Sequence, residues 1–291
     1  MSQDVQRIVV GVDGSAGADA ALAWALAEAD VHDATVVAVR AWTHLDEPND
    51  GADDTSDGST GSVEALAQLR ARIDALAPTR PVEARAVYGL ATEALLDESR
   101  DADLIVVGSR GRGGFAGLLL GSVSEQVIEE ADRPVVVVPD GSRPTEYGPV
   151  VVGVDGSDVA TLALHWAAHE AVQREALLRV VHGWGPPAMT LPPTDRLMAE
   201  AEAEAQHLLD EALADRLIGN LVMAYSRLEV EGRLDRKGPA EAVLHAAEGA
   251  GLIVVAAHGR GRLRRALLGS TSRQLAHHSP CPVVILRAPR T

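Results

Sequence analysis

Short, uninterrupted apolar runs alternate along this chain with longer stretches whose apolar residues recur at helical spacing. In the N-terminal half, residues 8–12, 35–39, 82–87, 104–107 and 135–138 have the length and branched-residue content of strands. Between them, residues 18–29, 63–76, 92–100 and 122–131 carry helical periodicity, and residues 46–62, acidic and rich in Gly, Ser and Asp, read as a loop. Strands that are apolar throughout, rather than alternating, are covered on both faces, and helices between them make the sheet parallel. The pattern predicts a doubly wound, Rossmann-like α/β fold.

The pattern occurs twice. Residues 9–15, VVGVDGS, return as 151–157 with a shift of 142, and Trp24 and Trp42 return as Trp166 and Trp184. Residues 104–107 and 119–122 return as 252–255 and 267–270 with a shift of 148, so the second copy holds six extra residues in its middle. The expected organisation is two domains in tandem, 1–140 and 150–291, joined by a linker at 141–149 that contains Gly, Ser, Arg and Pro.

Composition narrows the function. The 291 residues carry a formal charge of −16, which argues against general nucleic-acid binding, because phosphate-backbone affinity needs clustered Lys and Arg. No apolar run approaches the roughly 18 residues of a membrane helix, and the short polar start reads as neither signal nor transit peptide, so no membrane role and a cytoplasmic location are expected. The single cysteine, Cys281, excludes intramolecular disulfides and cysteine-based metal sites. Within this acidic chain, arginine concentrates at Arg260, Arg262, Arg264 and Arg265, which points to an anion nearby.

The candidate chemistry lies after the fourth strand of each copy. Gly108 and Gly111 follow it directly, and Gly121-Ser122 opens the next helix. Glycines at the carboxyl end of a parallel strand let the backbone approach a ligand, and a helix N-terminus suits a phosphate. Ser122 and Ser124 add hydroxyls. A second reading stays open: residues 122–125 also form a capping box, and 271–274 could serve likewise, which would need no ligand.

Gly-x2-Gly-x9-Gly-Ser at Gly108, Gly111, Gly121 and Ser122 resembles the motif of the ATP-binding universal stress proteins. Val12-Asp13 and Ala41-Trp42 fit the same family, and the likeness covers nearly the whole chain as two domains in tandem. The resemblance implies an adenine-nucleotide alpha hydrolase-like fold. It also implies that Asp13 holds the ribose hydroxyls, with Val12, Ala41 and Val107 around the adenine. Gly108, Arg110, Gly111, Gly121, Ser122, Val123 and Ser124 would surround the phosphates of ATP, with Mg2+ or Mn2+ bound through them. An Asx turn ahead of Gly14-Ser15 is the alternative role of Asp13.

The corresponding second-copy residues are Val154, Asp155, Gly183, Val255, Ala256, His258, Gly259, Gly269, Ser270, Thr271 and Ser272. Ala256 departs from the motif glycine, and its methyl is expected either to crowd the ligand or to be taken up by a backbone shift. The family also implies pairing through the last strand of each copy, giving an internal pseudo-dimer and a homodimer.

Other readings are weaker. Residues 111–116 mimic a dinucleotide fingerprint but follow the wrong strand, and residues 11–15 carry their glycine one position too early for an actin-like phosphate loop. Lys237 is the only lysine and lies in no P-loop. His165 and His169 have metal-ligand spacing, but without a completing Glu they read as a solvent-facing pair. His277-His278 suits a helix C-terminus. A nucleotide-responsive stress regulator with a protein partner is therefore the expected function. A slow ATP-hydrolysing or nucleotide-transferring enzyme is the alternative, and a member that has lost its nucleotide is disfavoured by the intact first motif.

Overall fold

A computed structural model describes residues 5–43, 59–77, 79–111, 120–142, 148–185, 194–259 and 268–288. The chain divides into two compact units, Met1–Pro144 and Thr145–Thr291. The expected arginine cluster at Arg260, Arg262, Arg264 and Arg265 lies outside the described residues, as do 112–119, 44–58 in the acidic loop, and 143–147 in the linker.

The first unit runs β1 (Arg7–Gly11), α1 (Ala16–His32), β2 (Thr35–Trp42), α2 (Ser59–Leu76), β3 (Glu83–Tyr88), α3 (Ala91–Glu98), β4 (Leu104–Gly108), α4 (Ser122–Glu130) and β5 (Val135–Val138). Its strands lie in the order β3-β2-β1-β4-β5, all parallel. The second unit runs β6 (Val150–Gly153), α5 (Asp158–Gln173), β7 (Leu178–Gly183), α6 (Asp195–Leu213), α7 (Arg216–Ala224), β8 (Val230–Asp235), α8 (Pro239–Ala246), β9 (Leu252–Ala256), α9 (Ser270–His278) and β10 (Val283–Leu286). Its order, β8-β7-β6-β9-β10, repeats the first, again all parallel.

Every residue of β4, β5, β9 and β10 is buried, as strands covered on both faces must be. Chain order reverses between β1 and β4, and between β6 and β9, and a doubly wound sheet opens its ligand crevice at such a switch point.

Two predicted boundaries shift. The strand expected at 35–39 continues to Trp42 despite the charge of Arg40, because Ala41 and Trp42 keep register with Val87 and Tyr88 of β3. The helix expected from residue 63 starts at Ser59, so the end of the expected loop is helical.

Between its second and third strands the first unit has α2, whereas the second unit has both α6 and α7. Asp215 caps α7, accepting from the Leu217 amide at 2.8 Å and the Ile218 amide at 3.4 Å. Its other oxygen lies 3.1 Å from Nε2 of His165 on α5. His165 is therefore not a solvent-facing residue: it is half-buried and ties α5 to the added helix, which its counterpart Ala23 could not do. His169 is half-buried too. Cys281 is buried, which pushes its thiol up to about 11 against a partial opposing effect of the Ser279 hydroxyl, so it is a packing residue and not a thiolate. Among the described residues no helix is long and apolar enough to cross a membrane.

Burial alone would raise the Asp215 carboxyl, but the hydrogen bond from His165, the Leu217 amide and the imidazole charge outweigh it and hold the group below 3.8. A depressed carboxylate stabilises the fold above its unfolded value and loses that contribution as pH falls through its folded value. Asp215→Ala is expected to cost about 1–2 kcal/mol at pH 7, the usual range for a lost cap. Urea denaturation at pH 7 and at pH 3.5 should show the gap narrowing at the lower pH.

Candidate functional site

In each unit the site grows from the turn after the first strand. The Val12 amide still bonds the Val39 carbonyl at 2.8 Å, and the chain then turns through Gly14 at φ +85°. Asp13 Oδ1 accepts from the Ser15 amide at 2.9 Å, and Ser15 in turn caps α1 through the Ala18 amide. Asp155, Gly156, Ser157 and Ala160 repeat the arrangement.

The Asx turn and the ligand-facing role of this aspartate are therefore compatible, because they use different oxygens. A Cβ placed on Gly111 would stand 2.5 Å from Asp13 Oδ2, and one on Gly259 would collide with Asp155 Oδ2. Only glycine lets the fourth-strand loop pass this close to the carboxylate.

The strand-to-helix loop is closed by backbone bonds. The Gly121 amide donates to Ser109 O at 2.7 Å, and the Gly269 amide to Ala257 O at 2.9 Å. The caps of α4 and α9 are Gly121 and Gly269, neither with a side-chain cap bond. This removes the capping-box reading: Ser122 and Ser270 are the first helical residues, with exposed side chains beside the first-turn amides, and Thr271 is the second. Val123 is half-buried behind Ser122.

Ser124 and Ser272, expected as phosphate donors, do something else. Each is buried, and each hydroxyl donates to the strand-end carbonyl of its unit, Ser124 to Gly108 O at 2.7 Å and Ser272 to Ala256 O at 2.6 Å. They fasten the helix to the strand, and the first-turn amides are held in place as a result. Arg110 is also engaged: its Nε lies 2.8 Å from Asp140 Oδ2.

Gly108 proves to be a packing glycine. A Cβ on it would sit 2.6 Å from the Gly17 carbonyl group of α1. The second unit has Ala256 in place of Gly108 and Val159 in place of Gly17, and Ala256 is among the residues that line its cavity.

In the second unit all the expected residues, from Val154 and Asp155 to Thr271 and Ser272, line one cavity of about 510 Å³, within the usual size of a small-molecule site. Its wall combines the apolar Val154, Val181, Val243 and Val255 with the polar Asp155 and His258, Gly259 and the start of α9. Gly183 serves both wall and packing, since a Cβ there would lie 2.6 Å from Ala242 of α8. Asp155 supplies the carboxylate among the described lining residues, so a divalent cation would draw its ligands mainly from phosphates and water.

In the first unit Val12 and Val107 are buried, and Ala41 is half-buried at the end of β2. Sequence reasoning missed Pro239 and Val243, one turn apart on α8, and Arg273 on α9, as well as Gly153, Ala160, Val181 and Leu268. The helical spacing of Pro239, Val243 and Arg273 was legible, but which face would meet the cavity was not. It also missed Arg40, whose Nη1 lies 3.5 Å from the position of a Cβ on Gly14.

The universal stress protein family matches residues 4–139 and again 146–287. A universal stress protein of Mycolicibacterium smegmatis is 33% identical over 291 residues, 96% of each chain. One from Mycobacterium tuberculosis is 32% identical, with the same coverage. A universal stress protein from Archaeoglobus fulgidus has a crystal structure that superposes with a TM-score of 0.68 at 21% identity, over 99% of this chain and 98% of that one, a likeness of fold.

Gly108→Ala is expected to destabilise the protein by about 1–3 kcal/mol, the usual cost of overpacking, because backbone atoms block the added methyl. Gly121→Ala, whose nearest contacts would be an ordinary 3.6 Å, should cost less. Urea melts of the two variants compare these costs directly.

Proposed function

The chain belongs to the universal stress protein family, and on that premise we propose that it binds ATP in both units and acts as a nucleotide-responsive regulator. The observation that carries this reading is the cavity of about 510 Å³ in the second unit, whose wall holds valines from the strands together with Asp155, Gly259 and the first residues of α9. The adenine lies between the valines at the strand ends. Asp155 Oδ2 accepts from the ribose hydroxyls, as Asp13 Oδ2 does in the first unit, and a carboxylate there repels phosphate from the wrong end of the site. The phosphates meet the amides at the start of α4 or α9, where the helix dipole favours negative charge. Mg2+ or Mn2+ would be held through the phosphates, with Asp155 or Asp13 the nearby carboxylate, and would offset part of their negative charge.

A regulator of this kind needs two states that ATP binds with different affinity, one of which a protein partner recognises. Slow hydrolysis in the same pocket is the competing reading. Multiple-turnover assays separate the two, since a regulator retains intact ATP over many hours.

The first experiment is to purify the protein without added nucleotide, denature it and quantify the small molecules released. About two ATP per chain is the expected result, with Gly111→Val losing the share of the first unit by pressing a side chain onto Asp13. Saturating ATP at about 100 times its Kd should add about 2.7 kcal/mol of stability per site. No released nucleotide and no rise in melting temperature on ATP titration would refute the proposal.

A further inference from the structure

The two sites share a backbone but not their charges. Glu125 is the fourth residue of α4 and Arg273 the fourth of α9, and each donates its amide to the capping glycine carbonyl at 2.9 Å. They occupy the same place in the first turn. An acid there complements the positive end of the helix dipole, whereas an arginine opposes it. The arginine is thus the unfavourable choice for α9 by itself, and it is among the residues that line the cavity, with Ser270 and Thr271.

A second difference lies at the same end. Arg110 of the first unit is paired with Asp140, the 2.8 Å contact being part of a two-nitrogen fork on one carboxylate oxygen. With the shift of 148, their second-unit counterparts are His258 and Ala288, so the carboxylate is gone. At these positions the first unit sets one cation against two carboxylates. The second has an arginine, an imidazole and an alanine at the same places, and Asp155 is the carboxylate among the described residues of its cavity wall.

We propose that the second cavity is the polyphosphate-selective site of this protein, and that Arg273 is the residue that sets its preference for longer phosphate chains. This rests on the nucleotide reading above and reverses the ranking that the motif suggests, in which the intact glycines favour the first unit. The motif glycines govern backbone approach, but the number of phosphates a site prefers is governed by charge. A cation in the first turn of α9 gains with each added phosphate charge, while the adenine and ribose contacts stay the same.

The test uses the full chain carrying Gly111→Val, so that binding reports the second site, with calorimetric titration of AMP, ADP and ATP. Affinity should rise from AMP to ATP. Arg273→Glu should weaken ATP by about ten- to a hundredfold, the span of one charge-assisted hydrogen bond, and leave AMP nearly unchanged. Arg273→Lys should recover part of the ATP preference. The ligand-free melting temperature of Arg273→Glu should hold or rise, because the dipole is then complemented, which separates lost selectivity from lost folding.

Equal losses for AMP and ATP, or no loss for ATP, would overturn the inference. Inorganic tripolyphosphate distinguishes its failure from that of the nucleotide reading. If tripolyphosphate binds and Arg273→Glu abolishes that binding while no nucleotide binds, the nucleotide reading fails and the anion selectivity stands. If neither binds, both fail.

Discussion

The fastening of one helix to the end of one strand organises each half of this protein. A buried serine on the first turn of α4 or α9 donates to the last carbonyl of β4 or β9, and the capping glycine bonds back to the residue just past the strand. These bonds satisfy groups that would be costly to bury unpaired. They also fix the direction in which the unpaired first-turn amides point. The crevice at the switch point, the closing of the glycine loop and the approach of that loop to Asp13 or Asp155 all follow from this anchor.

Glycine contributes in two distinct ways. Gly111 and Gly259 keep the loop clear of a carboxylate, whereas Gly108 and Gly17 let a strand and a helix meet backbone to backbone. The first role concerns the crevice and is kept in both units. The second concerns packing, and the second unit fills the same place with Ala256 and Val159. The departure from the motif at Ala256 leaves the cavity lined by all the residues expected there.

The second unit also diverges by addition. The extra residues between β7 and β8 accompany a further helix, α7, held to α5 through Asp215 and His165. The pair explains a histidine whose spacing suggests a metal ligand. Its partner lies 50 positions away in sequence and is brought near only by packing.

The sequence by itself determined the parallel α/β fold, the tandem repeat, the family and more than half of the residues that line the second cavity. Each of these is written in local signals: apolar runs of strand length, helical periodicity, glycine spacing and a register that repeats. Only the tertiary structure decided which hydroxyl faces the crevice and which is spent on a strand carbonyl, since Ser122 and Ser124 are chemically the same and differ in the helix face they occupy. It likewise decided that Gly108 packs against the backbone of α1, that Arg110 meets Asp140, and that Arg273 joins the cavity wall. Those outcomes depend on directions and distances between segments far apart in the chain, and a linear pattern of residue types does not encode them.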